Sequence, residues 1–172
     1  GEPRRMKRLA ALLALALPLG GCGLQPLYTA GGSGPVANML GQVEVAPIEG
    51  KSGWLVANAL RDRFDAGGTA QTAHYRLDVK LDDKIVGLAV RSDNSVTRER
   101  RTLRARYQLV ALDTGTVVLD ATAGSDAGID VVTSEYATIA AESTALERLS
   151  EIVADQIVAR VALYARNETP RK

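Results

Sequence analysis

The chain has 172 residues with 21 Lys and Arg against 20 Asp and Glu, one His, one Cys and aromatic residues at only 4%. A single Cys excludes an internal disulfide, a Cys-based zinc site and a CxxC redox pair. A balanced charge with so few aromatics argues against a generic nucleic-acid binder.

In chain order, the first feature is Met6 to Cys22, MKRLAALLALALPLGGC. Lys7 and Arg8 form a positive start, Leu9 to Leu19 an apolar run broken only by Pro18, and Gly20 and Gly21 lead into Cys22. Spanning a bilayer takes about 20 apolar residues, so this shorter run reads as a secretory leader. Leu19-Gly20-Gly21-Cys22 resembles the lipobox of bacterial lipoproteins, where cleavage falls before an acylated Cys. Cys22 is therefore the predicted lipid attachment and membrane anchor. Residues 1–21 are read as leader, with residues 1–5 left out of the fold reasoning because they precede the Met. The leader holds four basic residues (Arg4, Arg5, Lys7, Arg8) and one acid (Glu2), which leaves a mildly acidic remainder. Residues 22–41, rich in Gly and Pro, read as a lipidated tether.

A single domain is expected over residues 42–166. Gln42 to Ile48 alternates as a short strand, with Pro47 favouring its end or a sheet edge. Glu49 to Ser52 is a turn with Ser52 as N-cap, and Trp54 is expected to pack at the start of the helix that follows. From Trp54 to about Ala66, Val56, Leu60 and Phe64 recur on one helical face, and Gly67-Gly68 stop it. His74 to Asp82 alternates strictly, with Tyr75, Leu77, Val79 and Leu81 on one side, and can run on to Val90. Arg91 to Asn94 turn the chain. Ser95 to Asp113 alternates again, with Leu103, Ala105, Tyr107, Leu109 and Ala111 inward. Asp113-Thr114-Gly115 is a hairpin loop, Thr116 to Ala123 a further strand, and Gly124 to Val132 either its extension or a loop. Ser134 caps a long helix to Arg166 whose core face includes Ile139, Leu146, Leu149, Val153, Ile157, Val161 and Tyr164. Residues 167–172 read as a frayed tail. The order β-α-β-β-β-α predicts an α+β two-layer sandwich: a small, mostly antiparallel sheet of four strands with two helices on its apolar face.

The polar face of that sheet carries the one charge cluster of note. Arg98, Arg100, Arg104 and Arg106 share one parity of one strand, at intervals of about 7 Å. Arg forks match phosphates and carboxylates bidentately, so the row is the candidate contact for phosphorylated lipid or an acidic protein surface. Its plain alternative is a solvated, salt-bridged face, offset by Asp78, Asp82 and Asp120. Glu99 and Arg101 point the other way. His74 has no Cys partner and no GxSxG elbow accompanies it. Asp82-Asp83 and Asp126/Asp130 lack a metal spacing, and Gly31 to Gly34 lacks the context of a phosphate loop. No catalytic residue, metal site or cofactor is expected.

Cys22 to Tyr28, CGLQPLY, resembles the opening of the LptE family of lipopolysaccharide-assembly lipoproteins. The order of elements does too, and so does Ser134 to Ile157 as the final helix. Leu24 stands where Phe is commoner. The resemblance implies a non-enzymatic outer-membrane lipoprotein that plugs the β-barrel LptD and assists its assembly. It also implies a part in inserting lipopolysaccharide, with the domain on the periplasmic side and within the barrel lumen. The Arg98 to Arg106 row is assigned from this sequence alone, not carried over from the family. The rival reading is an auxiliary periplasmic lipoprotein of another lipid-transport or secretion complex.

Overall fold

The computed structural model describes residues 34–67, 71–90 and 96–168. Cys22, the leader, the Arg91 to Asn94 turn and the last four residues lie outside the described residues.

The domain begins with a short helix, α1 (Pro35–Leu40), inside the segment read as tether. Pro35 at its first turn has no N–H to satisfy there, and Leu40 is buried in the core. The three-residue strand β1 (Val43–Val45) follows, then α2 (Gly50–Phe64) and a 3₁₀ turn, Asp65–Gly67. Three long strands come next: β2 (Tyr75–Val90), β3 (Val96–Ala111) and β4 (Val117–Asp130). The helix α3 (Glu135–Glu168) closes the chain. The sheet order is β1-β2-β3-β4, with β1 parallel to β2 and the other pairings antiparallel. The predicted α+β sandwich is present, enlarged by α1.

Strict alternation explains the layering. Leu77, Val79, Leu103, Ala105, Tyr107, Leu109 and Ala123 are buried on one side of the sheet. They meet Val56, Leu60 and Phe64 of α2 and Leu146, Leu149, Val153, Ile157 and Val161 of α3. The two helices are also clamped together on their outer side by Arg63, which donates to Glu151 at 2.6 Å and to Asp155. Those contacts raise the Arg63 pKa further, the Asp155 hydrogen bond above all.

Three local expectations are corrected. Glu49, not Ser52, is the N-cap of α2, and no side chain caps it. Gly50 at φ 82° starts the helix instead, in the left-handed region that glycine occupies without strain. Trp54 is 63% exposed instead of packed, because the helix begins earlier and turns Gly53 inward. A Cβ on Gly53 would lie 2.5 Å from the Ile48 carbonyl oxygen, so glycine permits that close approach. Ile139 stands 55% exposed, and the buried stripe of α3 starts only at Ala145. The stretch Gly124 to Asp130 continues β4.

Candidate functional site

The side of the sheet away from the helices is polar along most of its length, with Val86 an exposed exception opposite Arg100. The cross-strand register sets Lys80 opposite Arg106, Asp82 opposite Arg104, and Arg98 opposite Asp130. Arg98, Arg100, Arg104 and Arg106 do share this face, and all four are exposed.

Three of the four are ion-paired with β4. Arg98 meets Asp130 at 3.3 Å, directly across the strands. Arg104 meets Asp126 at 3.1 Å and also donates to the Ser125 carbonyl at 3.1 Å. Arg106 places Nε and Nη2 on the two oxygens of Asp120, at 3.4 and 3.2 Å. Thr102 and Gln108 donate to the same two carboxylates, at 2.8 Å each. Arg100 makes no ion pair among the described residues, although its charge is felt at Asp126. The row is thus a ladder of arginines laid against a ladder of aspartates.

The electrostatics follow from the geometry. The Arg106 and Gln108 hydrogen bonds hold the Asp120 carboxyl below its usual pKa. At Asp126 the Thr102 hydrogen bond leads and Arg104 follows. The Arg106 guanidinium is raised in turn by Asp120. Of the offsetting acids named from sequence, only Asp120 engages the row. Asp78 pairs with Arg76 and Asp82 with Lys84, each two residues away on its own strand. By sequence alone Asp126 and Asp130 stand out only as a carboxylate pair without metal spacing. Their even parity on a continuing β4 was the signal that could have placed them beside the arginines.

Small residues make room for this ladder. A Cβ on Gly124 would lie 2.4 Å from Arg104 Cδ, so the Arg104 stem crosses the strand where a side chain is lacking. An open groove lies here, lined by Lys80, Asp82, Arg104, Arg106, Thr122 and Gln156.

On the opposite side, Arg101 forms a half-buried ion pair with Asp83 at 2.7 Å, the two side chains 13% and 21% exposed. Its Nη1 donates to the Glu142 carbonyl of α3 at 3.0 Å. Arg101 therefore ties the helix to the sheet and is not part of the arginine row. His74 is exposed just ahead of β2. Among the described residues, no group of three or more His, Cys, Asp or Glu could hold a metal, and no helix is long and apolar enough to cross a membrane.

Residues 40–161 match the sequence model of the lipopolysaccharide-assembly family LptE. The chain belongs to the LptE family. That family is one of non-enzymatic lipopolysaccharide-assembly lipoproteins of the cell envelope. A search among curated proteins finds no match. Solved structures share the fold. A candidate lipoprotein of Caulobacter crescentus CB15 is 24% identical, with a TM-score of 0.65 over 80% of this chain and 100% of that one. The rare lipoprotein B of Shewanella oneidensis is 10% identical, with a TM-score of 0.59 over 73% and 96%. A minor lipoprotein of Acinetobacter baumannii is 13% identical, with a TM-score of 0.53 over 71% and 91%. The matched span of this LptE-family chain covers β1 through most of α3, and so includes the whole arginine row.

Proposed function

We propose that this LptE-family chain is an outer-membrane lipoprotein, anchored through Cys22, that plugs the β-barrel LptD and assists its assembly. In that position it takes part in inserting lipopolysaccharide at the cell surface. The observation that carries the reading is the long polar sheet face, whose arginines and aspartates are already paired within the domain. Barrel lumens are polar, and a face that brings its own countercharges can enter one without stranding charge. Exposed ion pairs contribute little to stability, so the arginines can exchange partners at little cost. Arg98, Arg104 and Arg106 would trade aspartates for lumen carboxylates or lipid phosphates, and Arg100 has no ion pair among the described residues to give up.

Affinity purification of the full-length protein from detergent-solubilised outer membranes tests the plug. A stoichiometric LptD-like barrel is the expected companion. Recovery without a barrel, or with inner-membrane transporter subunits, would move the assignment to an auxiliary lipoprotein of another complex. Replacing Arg98, Arg100, Arg104 and Arg106 together by Ala tests the lipid contact. Undiminished lipopolysaccharide binding by a folded quadruple variant would rule that contact out.

A further inference from the structure

The two ends of the sandwich are covered unequally. Near β1, the C-terminal half of α3 seals the sheet with Val153, Ile157 and Val161, all fully buried. At the other end the cover runs out. None of residues 135–144 of α3 is buried, although β3 reaches at least to Glu142, whose carbonyl accepts from Arg101. Large apolar side chains are left in the open there. Ile85, Val86 and Leu88 stand exposed on β2, Val132 after β4, and Tyr136 and Ile139 on α3, with Tyr136 83% exposed. Successive residues of a strand face opposite sides, so Ile85, opposite Arg101, is on the helix-facing side and Val86, opposite Arg100, on the other.

Glu99 lies in the same end of β3. It is directly opposite Gly87 on β2 and the buried Ile129 on β4, two residues beyond Arg101 on the helix-facing side. Its Oε2 is enclosed by protein and, among the described residues, has no hydrogen-bond partner. Arg101, the nearest arginine of that parity, has both of its terminal nitrogens engaged by Asp83 and Glu142. Buried polar atoms in native proteins are nearly always paired, and an enclosed carboxylate oxygen without a donor is among the costlier exceptions. An exposed apolar surface beside an unmet acceptor is the anatomy of half an interface.

We propose that this end of the sandwich docks a protein partner whose contact surface is apolar and carries an Arg or Lys that donates to Glu99 Oε2. The acceptor decides the class of partner. Acyl chains could cover Ile85, Leu88 and Ile139, but they offer no donor to Glu99. On the helix-facing side of this end Glu99, Glu135 and Glu142 repel anionic headgroups, which Arg98 and Arg100 would draw to the other face instead. An Arg or Lys within an apolar protein surface satisfies both requirements at once. The part of the surface around Glu99, Ile85 and Ile139 lies on the helix-facing side, away from the arginine row whose face only Val86 shares, so it stands or falls separately from the lumen contact proposed above.

The test places a photo-crosslinking amino acid, p-benzoylphenylalanine, at Tyr136 or Ile139 of the full-length protein in Gram-negative cells. Trp54, equally open but on α2, is the control position. Each probe is then combined with Glu99→Leu or Glu99→Gln. The expected result is a defined protein adduct from Tyr136 and Ile139 but not from Trp54. Glu99→Leu should lower its yield roughly tenfold, the scale of a lost charge-assisted hydrogen bond, and Glu99→Gln less. In the isolated protein Glu99→Leu should raise the thermal midpoint, because it removes an unpaired buried oxygen. That split separates docking from a structural role, which would move both readouts the same way. Adducts only with lipid or a second copy, no adduct, or a yield unaffected by both Glu99 variants would overturn the proposal. A Glu99→Leu protein that fails to fold leaves the decision to Glu99→Gln. Co-purification of a barrel with no adduct at Tyr136 or Ile139 would remove this interface alone. A Glu99-dependent adduct with another protein, in the absence of a barrel, would remove the plug reading alone.

Discussion

Gln156 on α3 holds the free edge of the sheet at Gly124 through both atoms of its amide. Its Oε1 accepts from the Gly124 N–H at 2.9 Å, and its Nε2 donates to the Gly124 carbonyl at 3.3 Å. A side-chain amide thereby stands in for a missing fifth strand at one point along β4. Exposed strand edges invite pairing with other chains, and covering them is a common protection.

Gln156→Ala should therefore weaken the fold by only about 0.5–1.5 kcal/mol, since water can satisfy the two freed groups. Self-association should rise more visibly than stability falls. Light scattering of the variant at increasing concentration, beside its urea midpoint, separates the two effects.

Gly124→Ala should displace Arg104, whose Cδ the new methyl would meet at 2.4 Å. Asp126 would then lose its Arg104 contact while keeping the Thr102 hydrogen bond. Its carboxyl should titrate closer to the ordinary range, with Asp120 unmoved because Arg106 and Gln108 remain. Carboxyl-carbon NMR titration of both residues reads the outcome. A shift at Asp120 as large as that at Asp126 would contradict the local account.

The Arg101–Asp83 pair is more enclosed and should matter more. Asp83→Ala leaves Arg101 half-buried with only the Glu142 carbonyl, at a cost of about 1.5–3 kcal/mol. The double variant Arg101→Leu with Asp83→Leu should recover much of the loss, since paired apolar side chains can replace an enclosed ion pair. Urea unfolding of the single and double variants closes the cycle.

Asp120 and Asp126 are held below the usual carboxylate pKa in the folded protein. On acidification the unfolded chain takes up these two protons first. Their stabilisation is present in full above the unfolded value, near about pH 4, and fades as pH falls towards the folded values. Both groups are exposed, so the effect is modest and weakens with salt. Unfolding curves at pH 7 and pH 3, for wild type and for Asp120→Asn with Asp126→Asn, should converge at the lower pH.

Two isoleucines of α3 should behave oppositely. Ile157 is fully buried, and Ile157→Ala should destabilise by about 2–5 kcal/mol. Ile139→Ala, at a side chain 55% exposed, should stay within about 0.5 kcal/mol of wild type. Thermal melts of the two variants are sufficient to tell.

Much of this molecule was determined by local pattern. The alternation of Tyr75 to Leu81 and of Leu103 to Ala111 allows only strands with one buried face, and that parity alone set the four arginines on the other. Ser134, whose Oγ accepts from the Ala137 N–H at 3.4 Å, marked the start of α3. Periodicity, however, says which residues share a face, not how far the opposing layer reaches. Ile139 fits the α3 stripe by spacing and is exposed, because the stripe finds its cover only from Ala145 onward. Gly124 and Gly128 blur the alternation of β4, so its length, and with it the place of Asp126 and Asp130, came from pairing with β3. Gln156 closing an edge and Glu99 left without a donor are likewise properties of packed neighbours. Side-chain parity is intrinsic to a strand, whereas the partner that each side chain meets exists only once distant segments are brought together.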